Sequence, residues 1–339
     1  MAAAPAAQGA QAAQTMDPWV PVSGCGPQCV PPERDRVGAV RVAGRVSALV
    51  LAGLILLLVG LLTPALPRRV RTGYWRCAAR ACLRTVGLRV AVTDHRPRGA
   101  RAVRGALVVA NHISFLDVFA VAAVAPARFV AKREVLAMGA LTPLLRCFGV
   151  LPHRRGLLRE LRSDVRRVAR ILDRGRPVVV FPEGTTRCGI AAGAFRSAFF
   201  QSAIDAGVPV LPIALRYHRA GTTAVAPGYL GEDSVVDTLR RVLRSRGLVV
   251  AVTVHPLQLP AGDRRTLATR CGDLIRPERA PRAWAVPVRR SDLVVGIGPG
   301  RPPAAILDGD HVRVSRQRRL HRAGAPSTRG DERCLESTG

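Results

Sequence analysis

A histidine and an aspartate stand five residues apart directly after a short apolar run, at His112 and Asp117 in the stretch NHISFLD. The run at 106–110 is typical of a buried strand, and α/β sheets carry ligands at the carboxyl ends of such strands. A carboxylate that fixes the imidazole tautomer lets the other ring nitrogen take a proton from a hydroxyl, which accelerates reactions about 10²–10⁴-fold. The spacing therefore predicts a general base, and a structural histidine with a helix-capping aspartate fits it equally well.

A second polar stretch, FPEGTTR at 181–187, follows another apolar run. Gly184 allows a ligand to approach the backbone, the two threonines after it can donate hydrogen bonds, and Arg187 offers a planar pair of donors for phosphate. Glu183 repels phosphate, so we expect it to accept a hydrogen bond from a substrate hydroxyl or to hold an arginine in place. An ordinary acidic turn is the alternative interpretation of this stretch in isolation.

A third stretch lies between the other two, where Gly149 precedes the arginines Arg154 and Arg155. The donors of an arginine match two phosphate oxygens at once. In so arginine-rich a chain such a pair is also expected by chance, so the stretch has little meaning by itself.

Together, in this order and at this spacing, the three stretches resemble the motifs of the glycerolipid acyltransferase family, typified by 1-acylglycerol-3-phosphate acyltransferase. The family's His-x4-Asp motif corresponds to His112 and Asp117, its glycine-to-arginine motif to 149–155, and its FPEGT motif to 181–185. The fold that this resemblance implies is the glycerolipid acyltransferase fold.

Two further segments are similar to the family. One is a proline-centred apolar block at 208–215, around Pro212, and the other is a lysine-bearing segment at 129–134, around Lys132. The resemblance extends over residues 75–275.

The resemblance implies roles for individual residues. His112 would deprotonate a substrate hydroxyl while Asp117 orients the ring, and the hydroxyl would attack an acyl thioester directly, without an acyl-enzyme intermediate. Asn111 and Pro212 would support the site on the acyl-donor side. The acceptor and its phosphate would be surrounded by Arg154, Arg155, Glu183, Gly184, Thr185, Thr186 and Lys132.

Two departures from the family's pattern concern the acceptor. Arg187 stands where many members have a smaller polar residue. His153 and Arg154 replace the apolar-acidic pair that is common before the motif arginine, so either Arg154 or Arg155 is the functional one. The identity of the acceptor therefore stays open.

The reaction that the resemblance implies is transfer of a fatty acyl group from acyl-CoA, or from acyl carrier protein, to 1-acylglycerol-3-phosphate (lysophosphatidate), giving phosphatidate in phospholipid biosynthesis. The thioester is a co-substrate, and we expect no further cofactor. Another lysophospholipid, an ornithine lipid precursor or a glycolipid is the alternative acceptor. A non-catalytic basic membrane protein is the alternative of a different class, while a serine hydrolase is disfavoured because the chain contains no G-x-S-x-G motif.

The composition excludes wholesale disorder, since 48% of the 339 residues are hydrophobic. The formal net charge is +29, but Lys132 is the only lysine and Asn111 the only asparagine, which indicates a compositional bias toward arginine rather than a binding function. We therefore expect no nucleic acid partner, and anionic membrane lipid is the better match for the charge.

The eight cysteines show no regular spacing, which is not typical of a disulfide framework and is consistent with a reducing compartment. Cys25 and Cys29 are the closest pair, but no second Cys or His pair lies near them in the chain to complete a tetrahedral zinc site. The sequence therefore predicts free thiols and no metal.

The uncharged apolar run at 46–66 has about the 20 residues needed to cross a bilayer. Pro64 and Pro67 shorten its clean part, and arginines flank both ends, so the positive-inside rule does not orient it. We expect membrane insertion with the active site on the cytoplasmic face, either by spanning or as a re-entrant or interfacial hairpin. A buried helix of a soluble protein is the alternative.

After Pro97 the chain alternates short apolar runs with helical periods, which predicts an α/β domain with a largely parallel sheet covered by helices. The predicted strands are 106–110, 178–181, 208–215 and 248–254, and the predicted helices are 158–172, 194–206 and 234–244. The predicted organisation is a disordered tail at 1–40, a membrane-inserted segment at 41–69, a basic amphipathic interfacial helix and linker at 70–97, the acyltransferase domain at 98–276 and a basic, mostly disordered tail at 277–339.

Overall fold

A computed structural model of the chain describes residues 21, 23–31, 36–97, 105–137, 145, 149–154, 156–190, 193–231 and 233–276. The predicted tail at 277–339 and most of the one at 1–40 lie outside these residues, as does Arg155. The predicted disorder of both tails therefore stays a prediction.

The core of the fold is one eight-stranded sheet. Its order along the sheet is β1-β8-β6-β2-β5-β3-β4, with β7 paired to β6 as a short hairpin. Five neighbouring pairs are parallel, and β6 runs antiparallel to β8 and to β7. The strands are β1 Leu88–Asp94, β2 Leu107–Ala110, β3 Arg128–Lys132, β4 Leu151–His153, β5 Val178–Val180, β6 Val210–Arg219, β7 Thr222–Thr223 and β8 Leu248–Val254.

Helices cover both faces of this sheet, which confirms the predicted α/β class. They are α1 Ala39–Leu62, α2 Arg68–Thr85, α3 Asp117–Ala122, α4 Leu158–Asp173, α5 Phe200–Ala206, α6 Val235–Arg244 and α7 Arg264–Ile275. Because side chains alternate along a strand, Leu107 and Val109 of β2 pack with α4, α5 and α7, whereas Val108 and Ala110 pack with α2, α3 and α6. Such two-sided burial explains why the central strands are continuous apolar runs.

Four strands were not predicted: β1, β3, β4 and the two-residue β7. β1 buries only Leu88, its other residues are half-buried or exposed, and its apolar run at 90–92 is only three residues long. The sheet therefore begins at residue 88, before the domain boundary predicted at 98. β3 and β4 are short and carry polar residues, which hides them from a search for apolar runs.

The helix predicted at 194–206 begins only at Phe200. The residues before it bond elsewhere: the backbone N–H of Gly193 donates to Glu183 Oε2 at 3.2 Å, and that of Arg196 donates to the carbonyl of Pro182 at 2.9 Å. These donors are used to hold the 181–187 loop, so this stretch does not close helical turns.

The apolar segment forms α1, whose residues Ala39–Gly60 are long and apolar enough to cross a membrane. Leu51, Leu54 and Leu58 are exposed on it. The N-terminal part of the helix nevertheless contacts the domain. The Arg45 guanidinium donates to the carbonyls of Leu243 and Ser245 at 2.7 and 2.9 Å.

After α1 the chain turns back through a 3₁₀ turn at Thr63–Ala65 into α2. At the start of α2, Arg68 donates to the carbonyl of Gly175 at 2.7 Å. Further along, α2 buries Trp75 and Leu83, so its arginine-bearing side is the outer face of a helix packed on the domain. The arginine spacing of this segment fits such a solvated face as well as it fits the predicted interfacial helix.

His255, directly after β8, makes the free energy of unfolding depend on pH. Burial, together with the nearby His95 and Arg216, lowers the pKa of His255 from 6.5 to about 4. The unfolded chain therefore binds more protons than the folded chain between these two pH values, and stability falls as the pH falls through that window.

We expect this loss to be about 3 kcal/mol of unfolding free energy between pH 7 and pH 4. The variant His255→Leu should lose less over the same range, because it has no imidazole to protonate. Denaturant unfolding at several pH values measures the difference, and equal pH slopes for the two proteins would contradict it.

Candidate active site

The end of β2 is tied to β6 by Asn111. Its side-chain amide donates to the carbonyl of Leu215 at 2.9 Å, and its Oδ1 accepts from the Leu215 N–H at 2.7 Å. This two-way bond holds the backbone where the strand ends and places the next residue, His112, at the carboxyl edge of the sheet. Asn111 thus has a visible structural task.

His112 and Asp117 form the pair that the sequence predicted. His112 Nδ1 lies 2.9 Å from Asp117 Oδ2, and the Asp117 side chain is 0% exposed. The same carboxylate oxygen accepts from the backbone N–H groups of Ile113 and Ser114 at 2.6 and 2.8 Å. The turn between strand and helix therefore folds around the carboxylate, which begins α3.

The other oxygen of this carboxylate, Oδ1, accepts a hydrogen bond from the Tyr217 hydroxyl at 2.7 Å. Tyr217 lies on β6 and is fully buried, and this burial, together with the adjacent carboxylate, raises its pKa well above 10.0. The phenol therefore keeps its proton and donates it to Asp117. Sequence analysis missed this residue because only the pairing of β6 beside β2 brings it to the site.

The imidazole of His112 lies flat on Phe181, with ring centroids 4.1 Å apart and an angle of 14° between the planes. Its side chain is 16% exposed. Within the described part of the chain, Nε2 has no hydrogen-bond partner. One ring nitrogen is thus held by the carboxylate, and the other is available to a substrate.

The 181–187 loop follows β5 and encloses Glu183. The Glu183 side chain is buried. Its Oε1 accepts from the His112 N–H at 3.2 Å, and its Oε2 accepts from the Gly193 N–H at 3.2 Å. Arg187 Nε lies 3.2 Å from Oε2, as an ion pair not aligned for a hydrogen bond. Burial raises the pKa of Glu183, against the lowering effect of these three partners.

Of the two roles expected for Glu183, holding an arginine is the one with a visible partner. The loop also binds the backbone of His112 on both sides. Glu183 accepts from the His112 N–H, and the Arg187 N–H donates to the His112 carbonyl at 2.9 Å. Gly193 completes the arrangement, because a Cβ at that position would lie 2.8 Å from Glu183 Oε2. The loop and the end of β2 are therefore locked to each other.

The remaining loop residues differ in their contacts. Gly184 has φ +74°, a conformation that favours glycine. The Thr186 hydroxyl donates to the carbonyl of Tyr229 at 2.5 Å, so it supports the loop from inside. Thr185 is half-buried next to them.

The other predicted phosphate ligands lie along the same edge of the sheet. Because β2, β5, β3 and β4 are parallel neighbours about 4.8 Å apart, their carboxyl ends form one row of about 14 Å. Lys132 ends β3 and is half-exposed, 3.9 Å from Glu134. Arg154 follows β4, is half-exposed, and lies 3.4 Å from Glu160. Neither contacts His112, and Arg155 is outside the described residues.

Pro212 lies on β6, opposite Val109 of β2, and its carbonyl accepts from the His255 N–H at 3.0 Å. Its missing N–H is tolerated because the antiparallel ladder with β8 starts one residue later, at Ile213. Pro212 is part of the sheet that supports the site.

Comparison with known proteins assigns this chain to a family. A family model described as Acyltransferase matches residues 89–216. The lyso-ornithine lipid O-acyltransferase of Pseudomonas aeruginosa is 35% identical over 211 residues, which cover 62% of this chain and 79% of that protein. The chain belongs to the acyltransferase family.

Other relatives agree with this assignment. The 1-acyl-sn-glycerol-3-phosphate acyltransferase of Neisseria gonorrhoeae is 38% identical over 149 residues, covering 44% of this chain and 58% of that protein. A crystal structure of the 1-acyl-sn-glycerophosphate acyltransferase from Thermotoga maritima superposes with a TM-score of 0.52 at 18% identity, over 70% of this chain and 93% of that one. This acyltransferase therefore has the fold that the motifs implied, and the O-acyltransferase class predicted from them is confirmed.

Tyr217→Phe tests the support of Asp117 in this acyltransferase. The substitution leaves one buried carboxylate oxygen without its donor, so we expect the free energy of unfolding to fall by about 1–3 kcal/mol. We also expect slower acyl transfer, because Asp117 loses one of the four hydrogen bonds that hold it against His112. Unfolding and turnover measurements on Tyr217→Phe and on the matched control Tyr229→Phe decide this, and equal behaviour of the two variants would contradict it.

Proposed function

We propose that this acyltransferase moves a fatty acyl group from acyl-CoA to the hydroxyl of lysophosphatidate, giving phosphatidate. One observation carries the proposal: His112 is held by a fully buried carboxylate through Nδ1, at 2.9 Å, while its Nε2 is free of partners among the described residues. This arrangement suits a general base that acts on a hydroxyl.

In the proposed reaction, His112 Nε2 takes the proton of the acceptor hydroxyl as its oxygen bonds to the thioester carbonyl carbon. Asp117 stabilises the imidazolium that forms. Collapse of the tetrahedral intermediate breaks the carbon–sulfur bond, and His112 returns the proton to the departing thiolate. The products are an ester and a free thiol, and no residue of the chain is acylated.

The charges along the carboxyl edge of the sheet support an anionic acceptor. Arg187, Lys132 and Arg154 all belong to this edge, and Lys132 and Arg154 keep half-exposed side chains. Arginine donors match phosphate oxygens in pairs. A phosphate headgroup that lies along this row would bring the glycerol hydroxyl toward His112.

A lyso-ornithine lipid is the second candidate acceptor. Two relatives of that name, from Pseudomonas aeruginosa and Rhizobium meliloti, are 35% and 33% identical and are covered over 79% and 76% of their lengths. Their chemistry is the same O-acylation, so the dyad serves either acceptor. The headgroup then decides between the two.

We further propose that α1 inserts into one leaflet on the cytoplasmic side and does not span the bilayer. A spanning helix separates its two ends by the full thickness of the membrane, about 30 Å of hydrocarbon. Here Arg45 and Arg68, near the two ends, both bond to the domain, and the exposed leucines of α1 remain for the lipid. An acceptor that diffuses in the same leaflet would reach the site from the membrane.

Thiol release from acyl-CoA tests the reaction, using membranes that contain the protein, with and without lysophosphatidate, and with the lipid product identified. We expect release only with the acceptor, phosphatidate as product, and a loss of about 10²–10⁴-fold in His112→Ala. His218→Ala is the matched control, since His218 lies on β6 and is paired with Val249 away from the dyad. Activity in His112→Ala equal to that of the control would exclude the proposed base.

The same assay separates the acceptors and donors. Release with lyso-ornithine lipid but not with lysophosphatidate would support the second candidate, and release only from acyl carrier protein thioesters would change the donor. Silence with every acceptor and donor would contradict the enzyme proposal as a whole.

Protease protection of tags fused to the two chain ends tests the one-leaflet arrangement. We expect both tags to be digested from the same side of sealed membrane vesicles, because Arg45 near the start of α1 and Arg68 after its end both bond to one domain. Detergent-lysed vesicles provide the control for complete digestion. Tags on opposite sides would show that α1 spans the bilayer.

A further inference from the structure

Three cysteines that are far apart in the sequence meet beside the 181–187 loop. The Sγ atoms of Cys25, Cys29 and Cys188 all lie within 4.8 Å of one another. Cys188 is buried and the other two are half-buried. Sequence analysis predicted no metal here because it found no second pair near Cys25 and Cys29, and the fold supplies Cys188 instead.

The local backbone holds these thiols together. Cys29 closes a 3₁₀ turn, Pro27–Cys29, in which its N–H donates to the carbonyl of Gly26 at 2.9 Å. The Cys188 N–H points at Cys25 Sγ, 3.4 Å away. The three cysteines pack in one apolar cluster with Val225 and Leu230.

We propose that Cys25, Cys29 and Cys188 bind a Zn²⁺ ion. Thiolate sulfurs lie about 2.3 Å from zinc, which puts the sulfurs of a tetrahedral site about 3.8 Å apart. The thiols are within 4.8 Å before any ion draws them in, and thiolate is the ligand type that selects zinc among the common divalent ions. A water molecule would complete the tetrahedral site at the fourth position.

The three-sulfur arrangement favours a metal over a disulfide. A disulfide needs two sulfurs at about 2.05 Å and leaves the third cysteine without a partner. An ion uses all three. Zinc at this position also requires the thiols to lose their protons, so its binding weakens as the pH falls.

The ion would join the N-terminal segment to the active-site loop. Pro21 already lies over Gly184, since a Cβ there would be 2.7 Å from Pro21 Cγ. Cys188 directly follows Arg187, whose N–H donates to the carbonyl of His112. Zinc therefore fixes residues 23–31 across the loop and restrains the backbone on which the dyad stands.

Metal analysis of the full-length protein, expressed with zinc and purified in detergent without chelator, tests the site. We expect about one zinc per chain, and X-ray absorption with three sulfurs at about 2.3 Å from the ion. Cys25→Ser, Cys29→Ser and Cys188→Ser should each lose the zinc. Cys77→Ser is the matched control, because Cys77 is an exposed free thiol on α2, and it should keep the zinc.

A second measurement needs no variant and therefore does not depend on their folding. Removal of zinc from the wild-type protein with a chelator should increase hydrogen exchange in 23–31 and 181–188, and added zinc should reverse the increase. Neither readout involves an acyl acceptor, so failure here leaves the proposed reaction untouched. Absence of zinc, zinc retained in all three variants, or a disulfide from Cys188 to Cys25 or Cys29 would overturn the site.

Discussion

The Asp117 carboxylate is fully buried, and an ionised carboxylate without replacement for its water costs several kcal/mol. Its donors are the N–H groups of Ile113 and Ser114, the imidazole of His112 and the hydroxyl of Tyr217. The two N–H groups demand the tight turn after β2, and the hydroxyl demands that β6 lie beside that strand. The same four bonds fix the ring of His112, so satisfying the buried charge and orienting the proposed base are one requirement.

A second set of hydrogen bonds holds the backbone of His112. The N–H of His112 donates to Glu183, and its carbonyl accepts from the N–H of Arg187, so the residue is held on both sides by the loop after β5. Gly193 leaves room for this contact. Because β2 and β5 are parallel neighbours, their carboxyl ends meet at the edge that also carries Lys132 at the end of β3 and Arg154 after β4. The proposed zinc site would join the N-terminal segment to this loop.

The central strands and the dyad were predictable from sequence because their signals are local. Strands buried on both faces are continuous apolar runs, and His112 and Asp117 are separated by a single turn. β1 escaped prediction because an edge strand is half-exposed, and helix α5 starts late because Gly193 and Arg196 bond to the 181–187 loop. Tyr217 and Cys188 join their partners only through tertiary pairing, which no local pattern encodes. The dyad motif does not identify the acceptor, because the same dyad would serve either candidate acceptor.

The central claim is that Asp117 holds His112 with Nδ1 protonated and Nε2 free to accept a proton. Nitrogen-15 NMR of histidine-labelled protein in detergent, with His112 assigned by its loss in His112→Ala, observes this tautomer directly. The account predicts that neutral His112 carries its proton on Nδ1, and that Asp117→Asn disturbs this preference. A proton on Nε2 in the wild-type protein at neutral pH would contradict it.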